Sequence, residues 1–177
     1  AFRRPKSFEE IAALAEELDI PPHRVFLDIG YERATVLTEC SKRGWIGLRG
    51  EDTETYLHSV KDGETTKRRN KLHSIVRREK VANLKMAPAV IRWSNPTVKD
   101  IVNRLKRGRG AAWDVCDCGA LTESYQKQID SERKKEVVNK GNGQMVIRWV
   151  KFRENHAWDC ECMQVVAATV LRLFLSE

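Results

Sequence analysis

The sequence has no apolar run approaching the ~18 to 20 residues that a membrane-spanning helix needs, and its N-terminal stretch holds no apolar signal-peptide core. A soluble, cytoplasmic protein is expected. Cysteine is scarce: five in 177 residues, an odd number that does not suit a secreted disulfide framework. Structural zinc usually takes paired cysteines spaced by about two to four residues, which Cys116-Asp117-Cys118 and Cys160-Glu161-Cys162 do not provide. On a helix, Cys160 and Cys162 would also point about 200° apart. No Gly-x-x-x-x-Gly-Lys-Ser/Thr occurs, so no phosphate-loop ATPase is encoded here.

The length suits one domain with a buried core, and an opening Ala rather than Met suggests an excised fragment of a longer chain. What the chain has in excess is positive charge: 32 basic against 25 acidic residues, a net +7. The excess is clustered. Lys61 to Lys80 carries eight Lys or Arg against three acids, and Arg104, Lys106, Arg107 and Arg109 follow with no acid among them. Such clusters are often plain solvated surface, but two of them favour a polyanion, because each neutralised phosphate releases counterions and strengthens binding.

Local signals predict a mixed α/β domain. Ser7-Phe8-Glu9-Glu10 fits a capping box, and Ile11, Leu14, Ala15 and Leu18 give the following helix an apolar face. Pro21-Pro22 ends it, and Val25-Phe26-Leu27-Asp28 reads as a short strand covered on both faces, with Asp28 at its C-terminal end. Arg33 to Arg43 is helical with Gly44 as its stop, and Trp45-Ile46-Gly47-Leu48 is the next strand. This compact βαβ unit implies parallel pairing, with Asp28 and Arg49-Gly50-Glu51-Asp52 emerging together where ligands gather. Residues 53–86 are polar, basic and weakly periodic, and read as a long loop or a helix pair. Val90-Ile91-Arg92-Trp93 and Val146-Ile147-Arg148-Trp149 read as strands with alternating sides. Thr97 to Lys106 and Leu121 to Val138 read as helices, and Asn142-Gly143 as a turn. From Met163 to Leu175 the only charged side chain is Arg172, so the chain closes on a buried helix.

The mouth of that oily helix carries acids, in Asn155-His156-Ala157-Trp158-Asp159-Cys160-Glu161. Carboxylates in a first turn commonly serve the macrodipole and the orphan N–H groups. The alternative is a metal-binding carboxylate. An acid at a strand end and another at a helix start, in a basic domain, match metal-dependent phosphodiester cleavage, in which two divalent ions about 4 Å apart are held by carboxylates.

The run Val25-Phe26-Leu27-Asp28-Ile29-Gly30-Tyr31, then Val36-Leu37-Thr38-Glu39-Cys40, then Trp45-Ile46-Gly47-Leu48-Arg49-Gly50, resembles the nuclease region of phage terminase large subunits of the lambda-like branch. In that branch a strand ends in Asp-Ser-Gly, a helix follows, and the next strand ends in Lys-Gly. Trp149 and the Asn155 to Glu161 segment resemble the family's closing Trp and Asn-His/Glu-x-x-Asp-Cys signature. The resemblance implies a ribonuclease H-like fold, a mixed sheet flanked by helices with a closing C-terminal helix, that cuts double-stranded DNA in genome packaging with two bound Mg²⁺ or Mn²⁺ ions. It implies as partners an ATPase domain in the parent chain, the small terminase subunit and the portal, in the cytoplasm of a bacterial host.

Carried over by position, Asp28 and Asp159 are metal ligands. Arg49 stands where the family has Lys, and Ile29 where it has Ser. The family usually carries an earlier acid on the first strand of an opening hairpin; either this fragment starts beyond it and lacks that ligand, or Asp28 itself belongs to the first strand and another acid completes the set. Glu32, Glu51 and Asp52 are the candidates for a third acid, with Asp52 favoured because it follows the strand neighbouring Asp28. Glu161, two residues from Asp159 on a helix, should face away, whereas His156, three residues back, shares its face as a partner of the ligand or as a simple cap. Arg49, Lys67, Arg68, Arg69, Lys106, Arg107 and Arg109 are the candidate DNA contacts. Two rival readings remain: a DNA-binding or assembly module without catalysis, and another nuclease of the same fold such as a junction resolvase.

Overall fold

The structure, a computed structural model, describes residues 5–82, 84–110 and 123–173. The Cys116-Asp117-Cys118 segment, the start of the helix expected from Leu121 and the last residues of the closing helix lie outside these. The described residues divide into two compact units, one of Val98–Val165 and the other of residues 5–97 together with 166–173.

The larger unit begins with α1, Phe8–Glu17. Ser7 caps it as the sequence suggests, the Glu10 N–H donating to Ser7 Oγ at 3.2 Å, while the Glu10 carboxylate accepts from the Lys6 N–H at 2.6 Å, one residue before the cap. A 3₁₀ turn, Pro22–Arg24, leads into β1, Phe26–Asp28. Helix α2, Arg33–Arg43, ends on Gly44, whose φ of 73° supplies the left-handed stop. Strand β2, Ile46–Glu51, then pairs in parallel with β1, placing Phe26 opposite Ile46 and Asp28 opposite Leu48.

Residues 53–86 hold neither a helix pair nor one long loop. They hold a β-hairpin, β3 (Tyr56–Asp62) and β4 (Thr65–Lys71), and a two-residue strand β5, Arg77–Arg78. Gly63, at φ 61°, takes the first central position of a two-residue turn, as tight hairpins require. All seven residues of β4 are exposed, so no apolar alternation marks the strand in sequence. Strand β6, Ala89–Ser94, runs parallel to β2 and antiparallel to β5, giving a mixed sheet in the order β1-β2-β6-β5. As an interior strand β6 is buried on both faces rather than on alternate residues.

Alternation sorts this sheet. Val25, Leu27, Ile29, Gly47 and Val90 lie on one face, where Val25, Ile29, Val36, Leu37, Cys40, Trp45 and Val90 form the core beneath α1 and α2. Each large side chain buried there contributes on the order of 1.5–3 kcal/mol. Gly47 is required by this packing, since a Cβ at that position would come within 2.8 Å of Ile29 Cγ2.

The second unit contains most of α3 (Asn95–Lys106), α4 (Glu123–Ile129), the hairpin β7 (Glu132–Val138) with β8 (Met145–Lys151), and the first ten residues of α5 (His156–Val170). The single helix expected over Leu121 to Val138 is thus, in its described part, a short helix and a strand. Good helix formers in Arg133-Lys134-Lys135-Glu136 mask a strand that exists through its pairing with β8. A mixed α/β chain with a mixed sheet, flanking helices and a C-terminal helix is the architecture expected of a ribonuclease H-like nuclease. No described helix is long and apolar enough to cross a membrane.

Candidate functional site

Asp28 stands exposed at the C-terminal end of β1, and its orientation is set locally. The Gly30 N–H donates to Asp28 Oδ1 at 2.8 Å, closing a turn of the carboxylate onto its own backbone. A Cβ on residue 30 would lie 3.2 Å from that oxygen, so the Asp-x-Gly order has a packing reason. The loop continues into Glu32, which begins α2 at φ 46° without a side-chain capping bond. Few non-glycine residues adopt that region.

The groups expected beside Asp28 are not all brought to it. Arg49 is one step beyond Leu48, the register partner of Asp28, and alternation turns it to the opposite face of the sheet. Asp52, exposed just past β2, lies four residues beyond the level of Asp28, on the order of 13 Å of strand rise. The short parallel register and the two-residue period explain both separations.

What gathers around Arg49 is a cluster the sequence did not announce. Arg49 and Arg92 are register partners on β2 and β6. Glu51, two residues along the same face, lies 3.4 Å from Arg92 Nη1 and 3.9 Å from Arg49 Nε. The Tyr56 hydroxyl donates to Glu51 Oε2 at 2.9 Å, and burial followed by that carboxylate pushes the Tyr56 phenol up from its ordinary value. Glu51 is therefore committed to two guanidiniums and a phenol. Arg92 had no local signal, because only the register of β2 with β6 brings it to Glu51, whereas Tyr56 lies just five residues further along the chain. Lys67, Arg68 and Arg69 all lie on the exposed strand β4.

In the second unit, Asp159 is half-buried in the first turn of α5, and its N–H donates to the Asn155 carbonyl at 2.9 Å. A buried network fixes that helix start. Asn155 Nδ2 donates to Glu132 Oε1 at 2.8 Å, and Lys99 Nζ pairs with Glu132 Oε2 at 2.6 Å. The Gln128 side chain accepts from the Ala157 N–H at 2.9 Å. Trp158 is buried against Trp149, with ring centroids 5.7 Å apart, and Trp149 Nε1 donates to Asp100 at 3.0 Å. Glu161 turns inward and accepts from the Tyr125 hydroxyl at 2.5 Å. His156 is exposed at the first helical position, and Cys160 is exposed where Cys162 is buried. Burial raises the Cys162 thiol well above its usual range. Lys106 is paired with Asp130 and holds that carboxyl below its ordinary value, while Arg107 and Arg109 are exposed.

The family of the terminase large subunit gpA, endonuclease domain, matches residues 33–175. The chain belongs to this family. No curated protein and no solved structure matches the chain. This terminase domain is accordingly a nuclease of DNA packaging with DNA as its substrate. Asp159, Asp52, Arg49 and both basic clusters fall within the matched residues, and Asp28 precedes them.

Asp28 and Asp159 offer the hard oxygen donors that Mg²⁺ or Mn²⁺ prefers, and Asp28 keeps one carboxylate oxygen outside its bond to Gly30. Among the described residues, no group of three or more His, Cys, Asp or Glu side chains could hold a metal. Magnesium is commonly held by one or two protein carboxylates, with waters and substrate phosphates supplying the other oxygens, so the donor chemistry present fits that mode.

Proposed function

We propose that this domain is a divalent-metal-dependent endonuclease that cuts double-stranded DNA during viral genome packaging. The observation that carries the reading is the family match across 33–175, with Asp159 in the first turn of α5 inside Asn155-His156-x-x-Asp159-Cys160. Asp28 and Asp159 are each assigned as carboxylate ligands, and Asp52 as a further acid on the loop after β2. Mg²⁺ or Mn²⁺, when bound, supplies Lewis-acid charge and a water of lowered pKa.

The chain's own residues bind and orient. Arg49, Lys67, Arg68, Arg69, Arg107 and Arg109 neutralise phosphates, with Lys106 sharing its ammonium with Asp130. His156, on the Asp159 side of α5, hydrogen-bonds to water or phosphate there. Asn155, through Glu132 and Lys99, holds the turn that carries Asp159. The partners are the ATPase domain of the parent chain, the small terminase subunit and the portal, in the cytoplasm of the bacterial host.

Incubation of the purified domain with supercoiled plasmid tests the function. Nicking or linearisation in Mn²⁺ that stops in EDTA is the expected result. Salt-sensitive binding without cleavage, indifferent to divalent ions, overturns it in favour of a DNA-binding assembly module. Cleavage confined to branched duplexes overturns the packaging assignment in favour of a junction resolvase.

A further inference from the structure

We propose that the β3–β4 hairpin is a ribbon that enters the major groove of duplex DNA on edge, each of its faces meeting the phosphates of one strand. The inference rests on DNA being the substrate and is independent of which carboxylates cut it.

The register divides the basic residues between two faces. Tyr56, His58 and Val60 lie opposite Lys71, Arg69 and Lys67, so those three cations share one face; Ser59 opposite Arg68 and Lys61 opposite Thr66 share the other. No acid stands opposite any of the five. Among the described residues, no carboxylate pairs with Lys61, Arg68, Arg69 or Lys71. An isolated, largely polar two-stranded hairpin is marginal by itself, and hydrogen bonds to the rest of its unit tie this one down at its base. The Tyr56 hydroxyl donates to Glu51, His58 Nε2 and the His73 carbonyl are 2.6 Å apart, and Thr97 Oγ1 donates to the Glu54 carbonyl at 2.6 Å just before β3. Beyond those anchors every β4 side chain is in solvent.

Dimensions agree with the occupant. Seven residues make about 24 Å of ribbon, of which the four beyond the His58 anchor span about 13 Å, with its strands about 4.8 Å apart, and the B-form major groove, about 12 Å wide, admits such a ribbon. Cations on both faces reach both groove walls only if the ribbon enters on edge. A ribbon lying flat would turn one set of charges to solvent.

The test uses fluorescence anisotropy of a labelled duplex in EDTA, over a range of KCl concentrations. Two variants are compared with the unmodified chain: Lys67→Ala/Arg69→Ala/Lys71→Ala for one face and Lys61→Ala/Arg68→Ala for the other. Each lost phosphate contact lowers the slope of log affinity against log salt by about 0.9, so slopes about 2–3 and about 2 units shallower are expected. Methyl green, which occupies the major groove, should compete with binding, and the minor-groove ligand netropsin should not. Unchanged slopes in both variants overturn the proposal. A change in one variant only overturns edge-on entry, and competition by netropsin alone overturns the groove assignment. Because the substituted side chains are exposed, thermal melting should be unaltered, which separates lost binding from lost folding. A nuclease-inactive chain whose two variants still flatten the slope would leave the ribbon standing and refute the cutting assignment alone.

Discussion

At Gly30 and Gly47 the missing side chain is the informative one. A Cβ at residue 30 would press on the Asp28 carboxylate, whereas one at residue 47 would enter the van der Waals radius of Ile29 in the core. Gly47→Ala should therefore cost about 1–3 kcal/mol of stability, read as a lower urea midpoint; an unshifted midpoint would show that the core has room there. Gly30→Ala should leave the urea midpoint nearly unchanged while reducing cleavage, because it displaces an exposed carboxylate rather than a core side chain. Wild-type cleavage in that variant would detach Asp28 from the chemistry.

His73 gives a pH signature. Burial lowers its pKa below the ordinary 6.5, so the unfolded chain takes up the proton first. The stability of the neutral ring is intact above about pH 6.5 and is lost as pH falls through that value toward the folded-state pKa. Melting temperatures from about pH 7.5 down to about pH 5 should fall, and His73→Gln should flatten part of that fall. An equally steep fall in the variant would assign the loss to other groups. The Asp-x-Gly order and the first-turn acid are legible in sequence because they act within four residues. The commitment of Glu51 to Arg92 is not, because it depends on the register of β2 with β6.

Helix α5 begins on a buried ion pair: the side chains of Lys99 and Glu132 are only 9% and 3% exposed, and Asn155 takes the remaining Glu132 oxygen. Removing one partner strands the other without water. Glu132→Ala should destabilise the protein by about 3–5 kcal/mol, and Lys99→Met combined with Glu132→Leu should recover part of it. A loss below about 1 kcal/mol in the single variant would mean that Lys99 finds water instead. At this scale α1, β1, α2, β2 and α3 are readable because caps, breakers and apolar spacing all lie within each segment. In the hairpins only β8 is readable, from Val146-Ile147-Arg148-Trp149. β4 shows solvent on both faces and β7 is rich in Lys and Glu, so their strand character resides in the partner strand rather than in their own pattern. Asn142-Gly143 is legible too, and it sits in the β7–β8 turn, with Gly143 at φ 70°.

For the whole molecule, a net +7 suits a DNA substrate, and under the proposed function the basic ribbon and the end of α3 meet its phosphates. The family was legible at both ends of the chain, through the strand-helix-strand run and through the Asn-His-x-x-Asp segment, and the match over 33–175 takes in the helix and second strand of the run together with the closing segment, starting after Asp28. The candidate site was legible only as single residues. Asp28 and Asp159 fall in different compact units, and the acids after β2 do not stand at the level of Asp28. The central claim is that Asp159 carries metal-dependent cutting. Its most direct test is the rate of Mn²⁺-dependent plasmid cleavage by Asp159→Ala beside the unmodified chain, both at saturating DNA and both with intact thermal melting. Loss of a several-kcal/mol electrostatic contribution predicts a rate about 10²-fold lower or less with DNA affinity in EDTA unchanged, and cleavage at the unmodified rate would contradict the claim.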